Sequence, residues 1–410
     1  MIESENKNLR DREPLNLVFE EEGVTAVHNE FESRFRDYFS NKGYNEVPPL
    51  PLLSEKDKSV IYTGSTISPM KKLLLDGDFV DSSPGFFVAQ ECIRTGAKDK
   101  MFDKNWLPYG QIYFNMISTL SKPGRFKEVF DEALEFTCNE VGLEKSRIKI
   151  LSSRSIPNMS SLEAYSNIAV EYDSDPDGFY EWEYGIDGIY GTGLTIAVYN
   201  KEIENWMEVG NIISICDETG KELGVEFGYG YEYFLAAVLQ RQNPLELSKI
   251  FDFFDYEVGN KLRYYYNLEA VANMKAAGSE IGRFKSGHIF KTYLKSLLYN
   301  GEIVQKDTDT IISEISRYLH EIKDLEIDLS AERAFLEEHT IKKSNFKGII
   351  RRSVLYLDAI REGKEPKEKN FKPEKTIIKY LRKNGLRLEE VESELQPLQE
   401  YKISERIIND

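Results

Sequence analysis

The run Glu226-Phe-Gly-Tyr-Gly-Tyr-Glu-Tyr233 restricts the possible folds of this chain more than any other segment. Alternating apolar residues before it predict a strand over residues 222–227, and the pattern after it predicts an amphipathic helix over residues 231–240. Between them, Gly228 and Gly230 predict a turn where the backbone approaches a ligand closely and the helix packs tightly. The run therefore indicates a strand, a glycine turn and a helix in direct succession.

Composition excludes several classes of protein. The 410 residues suffice for two or three domains. No run of about 18 apolar residues predicts a membrane span, and the polar start lacks the apolar stretch of a secretory signal. Three separated cysteines without a CxxC pattern argue against disulfides and structural zinc, so we expect a cytoplasmic protein with no metal site. The net charge of −17 argues against a general nucleic-acid coat but allows a local basic strip.

The order of predicted elements indicates an α+β fold. Short strands dominate the middle of the chain, and the segment after Pro244 changes to long helical patterns with alternating charge. We expect an extension over residues 1–22, a domain with an antiparallel sheet flanked by helices over residues 23–244, and an all-helical domain over residues 245–410. No GxxxxGK[ST] motif or βαβ alternation suggests a P-loop or Rossmann enzyme.

Arg94, Lys98 and Phe114 are the first candidates for a ligand site. Arg94 ends a predicted strand, where its planar guanidinium could bind a carboxylate and a phosphate together. Lys98 adds a second positive charge four residues later, and Phe114 on the returning strand could stack on a base. From these residues alone, solvated loop charges and a core phenylalanine remain the simpler interpretation.

These residues lie in a run that resembles motif 2 of the alanyl-tRNA synthetases, which are class II enzymes. Gln90-Glu-Cys-Ile-Arg-Thr-Gly-Ala-Lys98 and the later Ile-Tyr-Phe-Asn-Met116 are similar to the family's QKCxRAGGK and TFFEM. The resemblance implies that Arg94 and Lys98 stabilise phosphate charge during adenylation and that Phe114 stacks on adenine. It also implies ATP, with Mg²⁺, as the cofactor. Asn115 stands where the family has glutamate.

The resemblance continues in three segments that imply amino-acid binding. Trp182-Glu-Tyr-Gly185 begins a glycine-rich run similar to the family's WxMGDTG loop, and the matched Trp182 would wall the amino-acid pocket. Trp206-Met-Glu-Val-Gly-Asn211 resembles FMEIWN, so Asn211 would hydrogen-bond the substrate. Glu226 replaces the family's aspartate, which holds the substrate ammonium, and strand alternation places it on the face opposite Val225 and Phe227.

The glycine run itself resembles motif 3, with one important departure. Gly228 and Gly230 match the glycines beside the nucleotide, but Tyr233 replaces an arginine that grips the far phosphates of ATP in class II enzymes. A tyrosine donates one neutral hydrogen bond, which is worth about 1 kcal/mol against roughly 1.5–3 kcal/mol for a charge-assisted one.

A helical segment resembles the family helix that meets the tRNA acceptor stem. Gly287-His-Ile-Phe-Lys291-Thr-Tyr-Leu-Lys295 is similar to GYVLRRILR, and the pattern predicts a buried stripe with Lys291 and Lys295 on a shared outer face. Together with Arg283, these lysines are the candidate RNA-binding residues. A solvated face explains the same pattern equally well.

Two functions remain open from the sequence, beside the alternative of an α+β protein unrelated to the synthetases. The first is ATP-dependent activation of a small, alanine-like amino acid, with transfer to tRNA or another acceptor. The second is a non-catalytic paralogue that binds a ligand, a tRNA or a partner protein. The resemblance covers residues 24–400 and lacks a counterpart of the family's zinc-binding editing domain. A monomer or weak dimer is expected.

Overall fold

The computed structural model describes residues 13–54, 60–96, 98, 100–103, 112–153, 168–173, 180–254, 260–366, 371–401, 403 and 407. The chain divides into two compact units. The first contains Met1–Thr95 and Pro108–Val258, and we call it the sheet unit. The second contains Gly96–Leu107 and Gly259–Asp410, and we call it the helical unit.

A nine-stranded sheet forms the centre of the first unit. Its strands are β1 (Asn45–Glu46), β2 (Gly85–Ile93), β3 (Tyr113–Ser121), β4 (Ile148–Ser152), β5 (Ala169–Tyr172), β6 (Glu181–Glu183), β7 (Ile189–Asn200), β8 (Asn205–Asp217) and β9 (Glu222–Gly230). They lie in the order β1-β2-β3-β9-β8-β7-β4-β5, and β6 pairs with β7. The predicted antiparallel sheet with flanking helices is confirmed, except that β1 with β2 and β4 with β5 form parallel pairs at the two ends.

Helices cover both faces of this sheet. The unit contains α1 (Leu15–Glu22), α2 (Val24–Asn41), α3 (Ile67–Asp76), α4 (Phe126–Glu135) and α5 (Tyr231–Val238). Phenylalanines recur at helical spacing in α2, and Phe31, Phe35 and Phe39 are at most 1% exposed in a core that includes Phe227 and Tyr229 of β9. On the opposite face, which we call the front face, α3 packs over β2, β3 and β8.

The glycine turn predicted between strand and helix is wrong. Gly228 and Gly230 lie inside β9, where Gly228 pairs with Ser118 and Asn211 and Gly230 pairs with Met116. Helix α5 begins at the next residue, Tyr231. The physical reason is that both glycines have extended backbone and form hydrogen bonds with the neighbouring strands. Because glycine has no side chain, the backbone of β9 is uncovered at these two positions on the front face.

The ends of the sheet unit differ from the sequence expectation. Residues 15–22, within the predicted extension, form helix α1, and its Leu15 and Val18 are buried in the core of the unit. The change of unit falls at 258/259 rather than near Pro244. Leu247 belongs to the same core, and its carbonyl oxygen lies 2.8 Å from the Nε2 of His28.

Asp252 caps helix α2 from more than 200 residues away in sequence. Its two carboxylate oxygens accept hydrogen bonds of 2.7 Å from the backbone amides of Val24 and Thr25. Gly23 precedes the helix with a φ of 91°, and a Cβ at that position would lie 2.6 Å from the Asp252 Oδ1. The carboxylate therefore satisfies two of the unpaired amides at this helix end and opposes the helix dipole.

We expect Asp252→Ala to lower the free energy of unfolding of the sheet unit by about 1–2 kcal/mol, the usual cost of losing a helix cap. Urea unfolding followed by circular dichroism measures this. Asp131→Ala is the matched control, because Asp131 is a half-exposed acid that pairs only with Lys127, one turn away on α4, among the contacts described. An unchanged midpoint in Asp252→Ala would contradict the capping role.

The second unit is helical, as predicted. It contains α6 (Asn260–Ala276), α7 (Lys285–Ile303), α8 (Thr308–Lys323), α9 (Ser330–Arg361), α10 (Pro373–Asn384) and α11 (Glu392–Leu395). The predicted buried stripe of α7 is confirmed, because its four apolar members are fully buried: Phe290, Tyr293, Leu294 and Leu297. None of the helices in the described ranges is long and apolar enough to cross a bilayer.

Candidate functional site

Strand register places four predicted site residues on or beside the front face of the sheet. Phe114 pairs with Cys92, two residues before Arg94, and Glu226 pairs with Leu120 on β3. Asn211 pairs with Gly228, two residues along β9 from Glu226. Directly paired residues point to the same side of a sheet, and so do residues two apart. Arg94, Phe114, Asn211 and Glu226 therefore share one side of the central strands.

Arg94 and Phe114 contact each other. The guanidinium carbon of Arg94 lies 5.0 Å from the centroid of the Phe114 ring, within cation–π range. Arg94 also donates a hydrogen bond of 2.9 Å from its Nε to the carbonyl oxygen of Gly64. Phe114 is 8% exposed, whereas Arg94 is exposed. The result is a flat aromatic ring with a cation on a long side chain directly above it.

Glu226 is the acid of the site, and hydroxyl groups surround it. Tyr184 donates a hydrogen bond of 2.7 Å to its Oε2, and Ser118 and Thr66 donate longer bonds of 3.4 and 3.5 Å to its Oε1. These donors come from the β6–β7 connection, from β3 and from the residue before α3. The carboxylate is thus oriented by neutral donors from three separate parts of the sheet unit.

The surroundings of Glu226 disfavour its charge. Burial of the carboxyl raises the pKa of Glu226 above its ordinary value, and the three hydroxyl donors and the positive charge of Arg94 oppose part of that rise. A partly desolvated carboxylate gains most from a cation that arrives with a ligand. An ammonium group is such a ligand, because it supplies both the opposite charge and hydrogen-bond donors.

The raised pKa of Glu226 predicts how the free energy of unfolding depends on pH. The folded state binds this proton more tightly than the unfolded state, so the free energy of unfolding should fall as pH rises from near 4.5 through the raised value. Glu226→Gln removes the titrating group. We expect a higher urea midpoint than wild type at pH about 7.5 and equal midpoints near pH about 4, where both side chains are neutral. Equal midpoints at the higher pH would contradict the desolvation of this carboxyl.

Asn211 and Trp182 occupy the far side of the same region. The Oδ1 of Asn211 accepts a hydrogen bond of 2.9 Å from the hydroxyl of Thr195, which fixes the orientation of the amide. Trp182 pairs with Gly191 on β7 and packs against the apolar cluster under α3. A Cβ on Gly191 would lie 2.9 Å from the ring of Tyr184, so this glycine makes room for the tyrosine that holds Glu226.

Tyr233 borders the site. Burial raises the pKa of Tyr233 to about 12, with the charge of Arg94 opposing and that of Glu232 adding to the rise. Glu232 turns the other way and accepts hydrogen bonds from the backbone and side-chain amides of Asn115. Arg241, eight residues after Tyr233, lies beyond the end of α5 with its guanidinium 4.3 Å from the Phe19 ring centroid. It therefore packs on α1.

The remaining predicted residues belong to the helical unit. Lys98 is partly buried and belongs to the helical unit, since that unit includes Gly96–Leu107. Arg283 is exposed before α7. The predicted outer face of α7 is wrong in part, because Lys295 is partly buried and donates a hydrogen bond to the carbonyl oxygen of Gly385. Thr292 and Ser296, its neighbours on the helix, are also buried, so α7 is enclosed on most sides.

Sequence reasoning missed the donors that hold Glu226. Tyr184 lies in the glycine-rich run that begins at Trp182, but nothing in that run indicates its contact with Glu226. Ser118 could have been identified from the strand pattern, since it lies four residues along β3 from Phe114 on the same face. Thr66 carries no sequence signal, because its position depends on how α3 packs over the sheet. Within the described ranges, no group of three or more His, Cys, Asp or Glu side chains could hold a metal ion.

The sheet unit is similar in sequence to known synthetases. Residues 30–171 match the family model for class II (A) tRNA synthetases. Alanine–tRNA ligases of Wolbachia pipientis wMel and of Jannaschia sp. (strain CCS1) are 27% identical over 124 residues and 28% identical over 127 residues. Each alignment covers 30% of this chain, and the chain spans about 14% of the length of these curated relatives.

Two solved synthetase structures are similar to about half of this chain. A pyrrolysyl tRNA synthetase from Desulfitobacterium hafniense has a TM-score of 0.33 at 11% identity, covering 54% of this chain and 72% of that chain. The RNA binding domain of threonyl-tRNA synthetase from Cryptosporidium parvum Iowa II has a TM-score of 0.35 at 11% identity, covering 52% of this chain and 64% of that chain. Residues 30–171 match a class II tRNA synthetase domain, and about 30% of the chain is similar to alanine–tRNA ligases at modest identity. That match includes Arg94, Lys98 and Phe114 and ends before Trp182.

Proposed function

We propose that this chain binds ATP and a small amino acid on the front face of the sheet and joins them as an aminoacyl adenylate, as alanine–tRNA ligases do. The observation that carries the proposal is the gathering of Arg94, Phe114 and Glu226 on one side of three adjacent strands. A base, a phosphate and an ammonium need an aromatic face, a cation and an acid, respectively. The sheet supplies one of each.

The adenine of ATP would stack on Phe114. In the ligand-free protein the guanidinium of Arg94 covers that ring, so the base requires it to slide toward the phosphates. The slide breaks the bond from Arg94 to the Gly64 carbonyl oxygen and replaces it with a charge-assisted bond to phosphate, which is stronger. Gly228 and Gly230 leave the neighbouring strand without side chains, so the nucleotide can lie close to the backbone.

The amino acid would lie beside the nucleotide on the front face. Glu226 would bind the substrate ammonium. Asn211 lies on the neighbouring strand β8, paired with Gly228 two residues after Glu226, and its amide would hydrogen-bond the polar end of the substrate. Tyr184 and Trp182 limit the room beyond, which favours a small side chain. Mg²⁺ would bind together with the ATP phosphates, since its usual ligands are substrate phosphates, water and one or two carboxylates.

Attack by the substrate carboxylate on the α-phosphate forms the mixed anhydride and releases pyrophosphate. The chain contributes the positive charge of Arg94 where negative charge develops on the α-phosphate. Lys98 would add a second charge. Transfer of the aminoacyl group to a tRNA or another acceptor completes the proposed reaction, and Arg283, Lys291 and Lys295 are the proposed RNA contacts.

The experiment is ATP–pyrophosphate exchange with each of the twenty amino acids. We expect exchange above background with alanine or another small amino acid and with no large one. Exchange that is equal with and without every amino acid would overturn the proposed adenylation.

One observation favours a second function. Tyr233 stands where class II enzymes carry the arginine for the far phosphates, and Arg241 packs on Phe19 instead of reaching that position. A paralogue that keeps Glu226 but has weakened its hold on ATP would bind an amino acid without activating it. Isothermal titration separates the two functions: amino-acid binding without exchange supports the regulatory protein, and binding with exchange supports the enzyme.

A further inference from the structure

Helix α9 packs into the helical unit along one side. Its buried residues recur at steps of three and four positions: Glu332, Leu336, His339, Lys343, Phe346, Ile350 and Ser353. These steps repeat every seven residues, so the buried residues form one seam along the helix. The opposite side keeps the same repeat, and we call its exposed part, from Ala334 to Leu355, the outer strip.

Residues of alternating size follow the centre of the outer strip. Ala334, Ile341, Gly348 and Leu355 stand at intervals of seven residues, and all four are exposed. Ile341 is 60% exposed and Leu355 is 64% exposed. A Cβ at Gly348 would meet no atom within 4 Å, so the strip has an open notch between these two large side chains.

The charge of the outer strip changes sign from one half to the other. Glu337 and Glu338 lie in its N-terminal half, and Arg351 and Arg352 lie fourteen residues later. Glu338 pairs one turn along the helix, and the guanidinium of Arg352 lies over the ring of Phe371. Within the described ranges, the side chains of Glu337 and Arg351 make no ion pair or hydrogen bond. These two charges are therefore open to a partner.

The sizes along the outer strip are complementary to those of an antiparallel copy. With the midpoint of the pairing at residues 344–345, Leu355 of one copy lies against Ala334 of the second copy. Ile341 of one copy lies against Gly348 of the second copy and fills its notch. Each large side chain thus meets a small one, which is how closely packed helices interdigitate.

The same midpoint brings opposite charges together. Glu337 and Arg351 lie on the same edge of the strip, because fourteen residues bring a helix back to within about 40° of its starting direction. In an antiparallel pair, equal edges of the two strips lie side by side. Glu337 of each copy therefore lies near Arg351 of the other, within one residue of the midpoint that the sizes require. A parallel pair would bring like charges together instead.

We propose that two copies of this protein associate through the outer strip of α9 as an antiparallel helix pair. The sizes and the charges are independent features of the strip, and both are complementary to a second copy at one register. That agreement favours a second copy over an unrelated protein. The inference concerns assembly alone and does not depend on adenylation at the sheet.

The proposed dimer is weak. The outer strip is about 32 Å long and about 10 Å wide by the dimensions of a helix. A groove of about 360 Å³, lined in part by Ile350, Val354 and Pro397, adds apolar surface beside Leu355. Even with this groove, the strip is smaller than the roughly 800 Å² that each partner buries in a standard interface, so the dimer should form only at high protein concentration.

Sedimentation equilibrium of the full chain tests the proposal between about 1 and 500 µM protein, the range in which small interfaces associate. We expect the average molecular mass to rise from that of the monomer toward twice that value. Gly348→Gln fills the notch. Because no atom of the same copy approaches that position and glutamine favours a helix over glycine, its thermal midpoint should not fall. Its dimer dissociation constant should rise about tenfold or more, since overpacking an interior contact is costly.

Charge reversal tests the antiparallel register. Glu337→Arg and Arg351→Glu each replace two attractive contacts of the dimer by two repulsive ones, and each should raise the dissociation constant about tenfold. An equimolar mixture of the two variants should dimerise as wild type does, because every arginine at these positions then faces an acid. If the mixture associates no better than either variant alone, the antiparallel register is wrong.

Ile360→Ser is the matched control. Ile360 is 51% exposed on the same helix. It lies five residues after Leu355, about 140° round the helix, and is therefore off the outer strip. The change should leave the dissociation constant unaltered. A wild-type protein that stays monomeric at about 500 µM would overturn the proposal, and so would a dimer that Gly348→Gln leaves as strong as wild type.

Discussion

Arg94→Ala is expected to lower the rate of amino-acid-dependent ATP–pyrophosphate exchange by about 10²–10³-fold, the usual loss when one donor to a developing charge is removed. Arg94 is the cation that the sheet unit places over Phe114, and its charge also reaches Glu226 and Tyr233. Since Tyr233 supplies no charge, the loss of Arg94 removes more of the phosphate clamp here than in an enzyme that has both arginines. The effect should fall on kcat more than on the KM for the amino acid.

Lys72→Ala is the matched control for Arg94→Ala. Lys72 is a highly exposed cation on α3 that pairs with Asp76 at 3.7 Å, so its removal takes away one positive charge, as Arg94→Ala does, without removing a side chain that contacts Phe114 or Glu226. Its exchange rate should equal that of wild type. An Arg94→Ala protein that folds normally and retains the wild-type exchange rate would contradict the assigned role of Arg94.

Glu226→Gln is expected to raise the dissociation constant for the amino acid by about 10–150-fold, which corresponds to losing a charge-assisted bond of roughly 1.5–3 kcal/mol. The amide keeps the size of the side chain and can still accept from Tyr184, so the change isolates the charge. Isothermal titration with the amino acid that supports exchange gives the value.

Two variants control for the shape of the Glu226 pocket. Glu226→Asp retains the charge and should lose far less affinity than Glu226→Gln. Tyr184→Phe removes one donor that orients the carboxylate, and its loss should lie between those of the two Glu226 variants. If Glu226→Gln binds the amino acid as wild type does, the ammonium contacts another group and the site has been placed wrongly.

The sequence predicted those parts of the site that depend on local periodicity. Alternation in β9 placed Glu226 opposite Val225 and Phe227, and both apolar residues are fully buried on the other face. The same alternation in β3 separates Phe114 from Asn115, whose side chain binds Glu232 instead. The side of the sheet on which each strand residue lies could therefore be predicted, because side chains alternate between the two sides and the buried side is identified by its apolar residues.

Parts of the site that depend on tertiary packing could not be predicted. Thr66 reaches Glu226 across 160 residues of sequence because α3 packs over the sheet. The glycines of β9 indicated a turn, since glycine favours turns locally, but strands on both sides pair with Gly228 and hold it extended. Met101 and Phe102 are buried in the helical unit, and no periodicity in the sequence around them would have placed them there.

A crystal structure of the protein with alanyl sulfamoyl adenylate, a stable analogue of the proposed intermediate, would show directly whether the front face binds an aminoacyl adenylate. We expect the adenine to stack on Phe114, the sulfamoyl group to lie at the guanidinium of Arg94 and the ammonium to lie within hydrogen-bond distance of Glu226. An analogue bound at another part of the molecule, or bound here with its ammonium pointing away from Glu226, would contradict the proposed site.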